Sequence, residues 1–146
     1  MAVPAEQRSV LARWDEGMRA VVSAGSFEIV VDEPATAGGS ATGPQPTDYL
    51  LASVASCFTL AMAYVAAKRG LELPGLQVRT TGTYAGMKFA HLTVEVTSDV
   101  PADVMEELIP HAERVCYVTN TLRHSPKLDI SVCSPEDAQT AVENAR

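Results

Sequence analysis

The chain is 146 residues long, 47% hydrophobic and 20% charged, with a net charge of -7. These are the size and composition of one acidic globular domain, expected to span residues 1–146. Eleven Lys and Arg against eighteen Asp and Glu leave no basic surplus for a phosphate backbone and no attraction to anionic lipid, so neither nucleic acid nor a membrane is an expected partner.

The opening "MAVPAEQRSVLARWDEGMRAVV" has no apolar h-region after a basic start, and the cysteines at 57, 116 and 133 are too sparse for a secreted disulfide scaffold. A reducing cytoplasm is the expected location. From Ser9 to Asp32 the β-capable runs "SVLARW", "MRAVVSAG" and "SFEIVVDEP" read as a meander, with Ala24-Gly25-Ser26 as a hairpin turn. "EPATAGGSATGPQP" is a Pro- and Gly-rich loop, placed to shape a site before the next helix. A long helix follows Pro46, with Thr47 or Asp48 near its orphan N–H groups and Lys68, Arg69 and Gly70 at its end. At 1.5 Å per residue it runs about 33 Å. "LQVRTTGTYAGMKFAHLTVEVTS" alternates around "YAGMK" and predicts a β-hairpin.

"PADVMEELIPHAERVC" predicts a second helix in which Val104, Leu108 and Val115 share a face and Pro110 kinks or divides the rod. After a break at Ser125-Pro126 a last strand is expected from Leu128 to Val132, then a short polar helix or a frayed end. The expected class is α+β.

Leu50 to Val65, "LLASVASCFTLAMAYV", carries no charge. It is a little short for the ~20 residues of a bilayer span, and Ser53, Ser56, Thr59 and several alanines weaken transfer into lipid. A helix apolar on all sides must be covered on all sides, which predicts a core helix, a subunit interface, or both.

Cys57 lies inside that run. From position alone it is a packing residue, since free Cys behaves as a small hydrophobe, and Cys133 reads the same way. Cys57, Cys116 and Cys133 with His91, His111 or His124 lack the close spacing of structural zinc. No hydrolase signature surrounds Cys57, and "AGGSATG" lacks the P-loop lysine. His111 reads as solvated, His124 as a loop residue that can touch a site at Cys116, and Asn120 as orienting the turn after Cys116.

The stretch "GPQPTDYLLASVASCFTLAMAYVAAKRGL", followed by "ERVCYVTNTL" and preceded by "IVVDEPATAGGSATGPQP", resembles the OsmC/Ohr family of thiol peroxidases. The resemblance implies an intertwined homodimer with two central helices, wrapping strands, and active sites shared between subunits. It implies organic hydroperoxides as substrates, and hydrogen peroxide beside them. Cys57 would be the peroxidatic and Cys116 the resolving cysteine, a disulfide forming between them. A dithiol such as a lipoylated protein would reopen it, with no metal or organic cofactor.

A cysteine with pKa near 8.5 is only a few per cent thiolate at neutral pH and needs a cation. In the family that is an arginine from the early strands, here Arg19 or Arg13, held by an acid at the start of the central helix. Thr47 stands where the Ohr-type branch has glutamate, and Asp48 follows one residue later, as in the wider OsmC-like group. Asp48 also reads as an N-terminal dipole partner, and Arg19 as a plain surface cation. The alternative function keeps the fold but makes it a small-molecule-binding protein with little turnover.

Overall fold

Period-two alternation and period-3.6 stripes alternate along this chain, and all but the last alternating run fold as their period demands. The structure, a computed structural model, describes residues 6–143, the side chains of residues 139 and 141–143 excepted. Contacts divide it into two units, one formed by the chain up to Pro46 with the chain from Leu128 onward, the other by Thr47–Lys127.

In the first unit β1 (Leu11–Trp14), β2 (Ala20–Ala24) and β3 (Phe27–Val31) form an antiparallel sheet in the order β1-β2-β3. The expected hairpin is present, with Ala24 opposite Phe27 and Gly25 at φ 60° between them, a left-handed conformation that glycine adopts without steric cost. The loop after β3 folds back on the strand: Asp32 N donates to Pro44 O (3.1 Å), and Ala41 N to Glu33 O (3.1 Å). Its glycines permit this closeness. A Cβ at Gly39 would stand 1.8 Å from Glu33 O, and one at Gly43 2.5 Å from Val30 O.

The loop is organised around Asp32, only 1% exposed. Its carboxylate accepts from the backbone N–H of Glu33 (2.8 Å), of Ser40 (3.3 Å) and of Thr42 (3.1 Å), and from the Thr42 hydroxyl (2.7 Å). These bonds, the Thr42 hydroxyl first, outweigh burial and hold its carboxyl below the ordinary 3.8.

The last strand expected over Leu128–Val132 is not formed, since among the described residues the sheets contain only β1–β3 and the hairpin of the second unit. The alternation of Leu128, Ile130 and Val132 is genuine, but those side chains are 82%, 90% and 101% exposed, with no apolar face beneath them. A strand needs a neighbour to complete its ladder. Beyond it a helix over Pro135–Glu143 begins at Ser134, whose Oγ accepts from Asp137 N–H (3.3 Å) and donates to Asp137 Oδ2 (2.6 Å).

In the second unit α1 (Pro46–Lys68) starts with proline as its first residue, where the missing N–H costs nothing. Thr47 and Asp48 therefore lie inside the first turn. Val54, Phe58, Ala61, Met62, Val65 and Ala66 are buried at helical spacing. All but Val54 join one core cluster with Met105, Leu108 and Ala112 of α2 (Ala102–Val115).

Val78 of β4 (Gln77–Ala85) and Val94 and Val96 of β5 (Lys88–Thr97) pack against that core from the hairpin, which turns at Gly86-Met87 as expected. α1 is long and apolar enough to cross a membrane by length and composition, yet this stripe packs as a core helix does. Leu60 and Tyr64 stay 70% and 54% exposed, so the unit covers one side of α1 rather than all of it.

Two expectations for α2 are corrected. The helix runs unbroken through Pro110, because Pro110 and Glu106, whose carbonyl loses a donor, both face solvent and water can replace the bond. The buried stripe is Met105, Leu108 and Ala112; Val104 is half-buried and Val115 exposed. α3 (Tyr117–Arg123), read from sequence only as a turn, follows directly after Cys116.

Candidate active site

Cys57 projects from the middle of α1, and Cys116 sits at the junction of α2 and α3. Cys116 closes α2 by donating its N–H to Ala112 O (3.0 Å) and, in an extended conformation (φ -83°, ψ 104°), turns the chain into α3. This turn aims the first N–H groups of α3, which have no helical partner, at the two thiols. The amides of Val118 and Tyr117 act to lower Cys57, and Thr119 and the Val118 amide act to lower Cys116, while the Thr119 hydroxyl donates to the Cys116 carbonyl (3.4 Å).

The two thiols lie close enough to shift each other's titration. Burial pushes Cys57 up; the Val118 amide opposes this, and the Cys116 sulfur pushes it further. Cys116 is fully buried, which by itself would raise it, but the bonds from Thr119, Cys57 and Val118 together bring it below its ordinary value. The two thiols are thus pushed in opposite directions, Cys57 up and Cys116 down.

Cys57 is half-buried and opens on a cavity of about 970 Å³. Leu60, Ala61, Tyr64, Val115 and Tyr117 make its apolar wall, and Arg114, Asn120, Thr121 and His124 its polar rim. Val115, displaced from the core face predicted for it, is used here. Asn120 Nδ2 donates to Arg114 O (3.3 Å) and ties α3 back to α2, the orienting role expected of it. His124 hydrogen-bonds Asn120 O through Nδ1 (3.1 Å) and reaches the cavity. His111 is half-buried, not solvated. It bonds Arg114, and burial, then Arg69 and Arg114, push it down.

The structure brings Cys57 and Cys116 together within one unit. Arg19 belongs to the other. Its Nε, closed to solvent, lies 3.0 Å from Asp15 Oδ2 in an ion pair not aligned as a hydrogen bond, and its Nη1 donates to Thr42 Oγ1 (3.4 Å). Arg13 is engaged across the strands by Ser23 Oγ (3.2 Å) and Glu28 Oε1 (3.5 Å). Asp48 is exposed in the first turn of α1, while the Thr47 hydroxyl accepts from Tyr84 OH (2.9 Å).

Sequence reasoning missed Asp15, although its four-residue spacing to Arg19 was a visible signal. It also missed Asp32, for which an acid entering a glycine-rich loop was the only hint.

A half-buried thiol facing a cavity, beside a second, buried thiol in an α+β fold, defines a two-cysteine protein. Residues 38–131 match the sequence profile of the OsmC-like proteins, and the chain belongs to that family. It is 29% identical over 122 residues to an uncharacterized protein of Haloferax volcanii, covering 81% of this chain and 89% of that one. An OsmC-like protein of Mycoplasma pneumoniae shares the fold at TM-score 0.68 and 22% identity, over 88% and 95% of the two chains.

A Vibrio cholerae protein assigned to organic hydroperoxide resistance, with captopril bound in one of its active sites, matches at TM-score 0.62 and 25% identity, over 84% and 89%.

Proposed function

We propose that the protein is a thiol-dependent peroxidase of oxidative stress defence, reducing organic hydroperoxides and also hydrogen peroxide. The observation that carries this reading is the thiol pair: Cys57 faces a largely apolar cavity, and Cys116 lies behind it within hydrogen-bonding reach. Membership of the OsmC-like family and the likeness to hydroperoxide resistance proteins support it.

In this reading the Cys57 thiolate attacks the distal peroxide oxygen. The O–O bond breaks, the alkoxide takes a proton and leaves as an alcohol, and Cys57 becomes a sulfenic acid. Cys116 then attacks that sulfur, water leaves, and a Cys57–Cys116 disulfide forms before further oxidation can intervene. A dithiol, such as a lipoyl group on a protein, reopens the disulfide and is itself oxidised to a disulfide. The chemistry rests on thiols, without metal or organic cofactor, in a reducing cytoplasm.

Burial within the chain's own unit pushes Cys57 up, so the nucleophile needs a cation. Arg19 is the residue we assign to that task, with Asp48 as the acid of the site. Activity in a homodimer with shared sites agrees with the exposed Leu60 and Tyr64 on α1 and the exposed apolar alternation of Leu128, Ile130 and Val132.

Two observations favour a second reading, a small-molecule-binding protein with little turnover: burial raises Cys57, and the Vibrio cholerae relative holds captopril in an active site.

Peroxide consumption with cumene hydroperoxide and a dithiol reductant separates the two. Turnover lost in Cys57→Ser, with Cys57 over-oxidised in Cys116→Ser, establishes the enzyme and both roles. An unmodified Cys57 under excess peroxide removes the peroxidase reading.

A further inference from the structure

Thr42 in the loop after β3 is used twice, and the order of its bonds is fixed by chemistry. A hydroxyl has one proton and two lone pairs. The Thr42 proton goes to the Asp32 carboxylate at 2.7 Å, the short distance of a charge-assisted bond. Only lone pairs remain for the Arg19 guanidinium, whose Nη1 stands 3.4 Å away. Were Asp32 unable to accept, the hydroxyl could rotate and turn its proton toward the cation.

Asp32 itself cannot shift, because the amides of Glu33, Ser40 and Thr42 grip both its oxygens and the close approaches at Gly39 and Gly43 leave the loop no slack. On the other side the Asp15 carboxylate holds Nε at 3.0 Å. Arg19, Asp32, Glu16, Met18, Ser40 and Thr42 line a cavity of about 310 Å³ within this unit.

We propose that Asp32 is a positioning residue for Arg19, acting through the Thr42 hydroxyl: the buried carboxylate sets the hydroxyl, and the hydroxyl sets the guanidinium. The glycine-rich loop is thus a rigid mount for a cation. The consequence for turnover rests on the reading above, in which Arg19 serves Cys57. Asp32 touches no reacting atom, and a loop closed by its amides alone would have no use for the second bond of Thr42.

The test compares Thr42→Val, Thr42→Ser and Arg19→Gln with the unaltered full-length protein. Thr42→Val keeps every amide bond to Asp32 and removes only the hydroxyl. Peroxide kcat/KM is measured from pH 5 to 9 per folded molecule, the folded fraction being read from melting curves. The Arg19 Nε–H resonance is recorded by NMR, which reports the guanidinium without turnover.

The proposal expects Thr42→Val to lose about tenfold to a hundredfold in kcat/KM, as misplacement of a catalytic group does. Its pH profile should move upward and its Nε–H resonance shift, with Thr42→Ser restoring all three. A Thr42→Val protein with the parent rate per folded molecule and an unmoved resonance overturns the proposal, whether or not it is less stable. Arg19→Gln at the parent rate instead removes the assignment of Arg19 to Cys57. The Nε–H resonance then decides positioning alone, and an unmoved signal in Thr42→Val overturns it.

Discussion

Buried acids and buried thiols answer to the same rule, that a charge removed from water persists only where donors replace the water. Asp32 is held ionised by amides and one hydroxyl, so its folded pKa lies below its unfolded one. That contribution to stability is full above the ordinary 3.8 and fades as pH falls through the lower folded value. Acid melting curves should therefore show a loss of stability below about pH 4 that is weaker in Asp32→Asn, already destabilised at neutral pH. Parallel curves for the two proteins would contradict this.

Among the thiols, accessibility decides reactivity toward a bulky reagent. Iodoacetamide on the folded, reduced protein should label Cys133, which is exposed, and Cys57, which opens on the cavity, while sparing Cys116 at 0% exposure. Early label on Cys116, read by mass mapping, would mean that the α2–α3 junction opens.

At the scale of elements, α1 and α2 are joined by a core in which Leu108 is fully buried. Leu108→Ala should cost about 2–5 kcal/mol, measured by denaturant unfolding. Pro110 predicts the opposite sign. It sits exposed in an unbroken helix, so Pro110→Ala restores a backbone bond and should stabilise by up to about 3 kcal/mol. A destabilised variant would show that the proline shapes α2 in a way its unbroken run does not reveal.

The helices and hairpins were legible because their periods and turn residues act locally. Gly25 and Gly86 mark two-residue turns at the expected places. The helix is not divided at Pro110, because that side of it faces water, which sequence does not say. The strand at Leu128–Val132 was misjudged because alternation reports capacity for pairing, not the presence of a partner.

For the whole molecule, the apolar surface that remains in contact with water is the informative quantity. Leu128, Ile130 and Val132 form an exposed apolar edge, which the proposed homodimer would cover. Ile130→Asp should then shift the mass in sedimentation equilibrium from dimer toward monomer, with the far-UV spectrum retained. A parent protein that sediments as a monomer would remove the shared-site reading while leaving the thiol pair within its unit intact.

The sequence by itself determined the order of elements as far as α2, the long uncharged helix and the two cysteine settings, because hydrophobic period, turn chemistry and local motif are carried by neighbours in the chain. Tertiary structure decided which thiol is buried and which faces the cavity, and that burial pushes Cys57 up. It also decided that Thr42 bonds both Asp32 and Arg19. Each of these depends on donors and walls brought from distant positions, and burial and hydrogen bonding have no period in a sequence from which to read them.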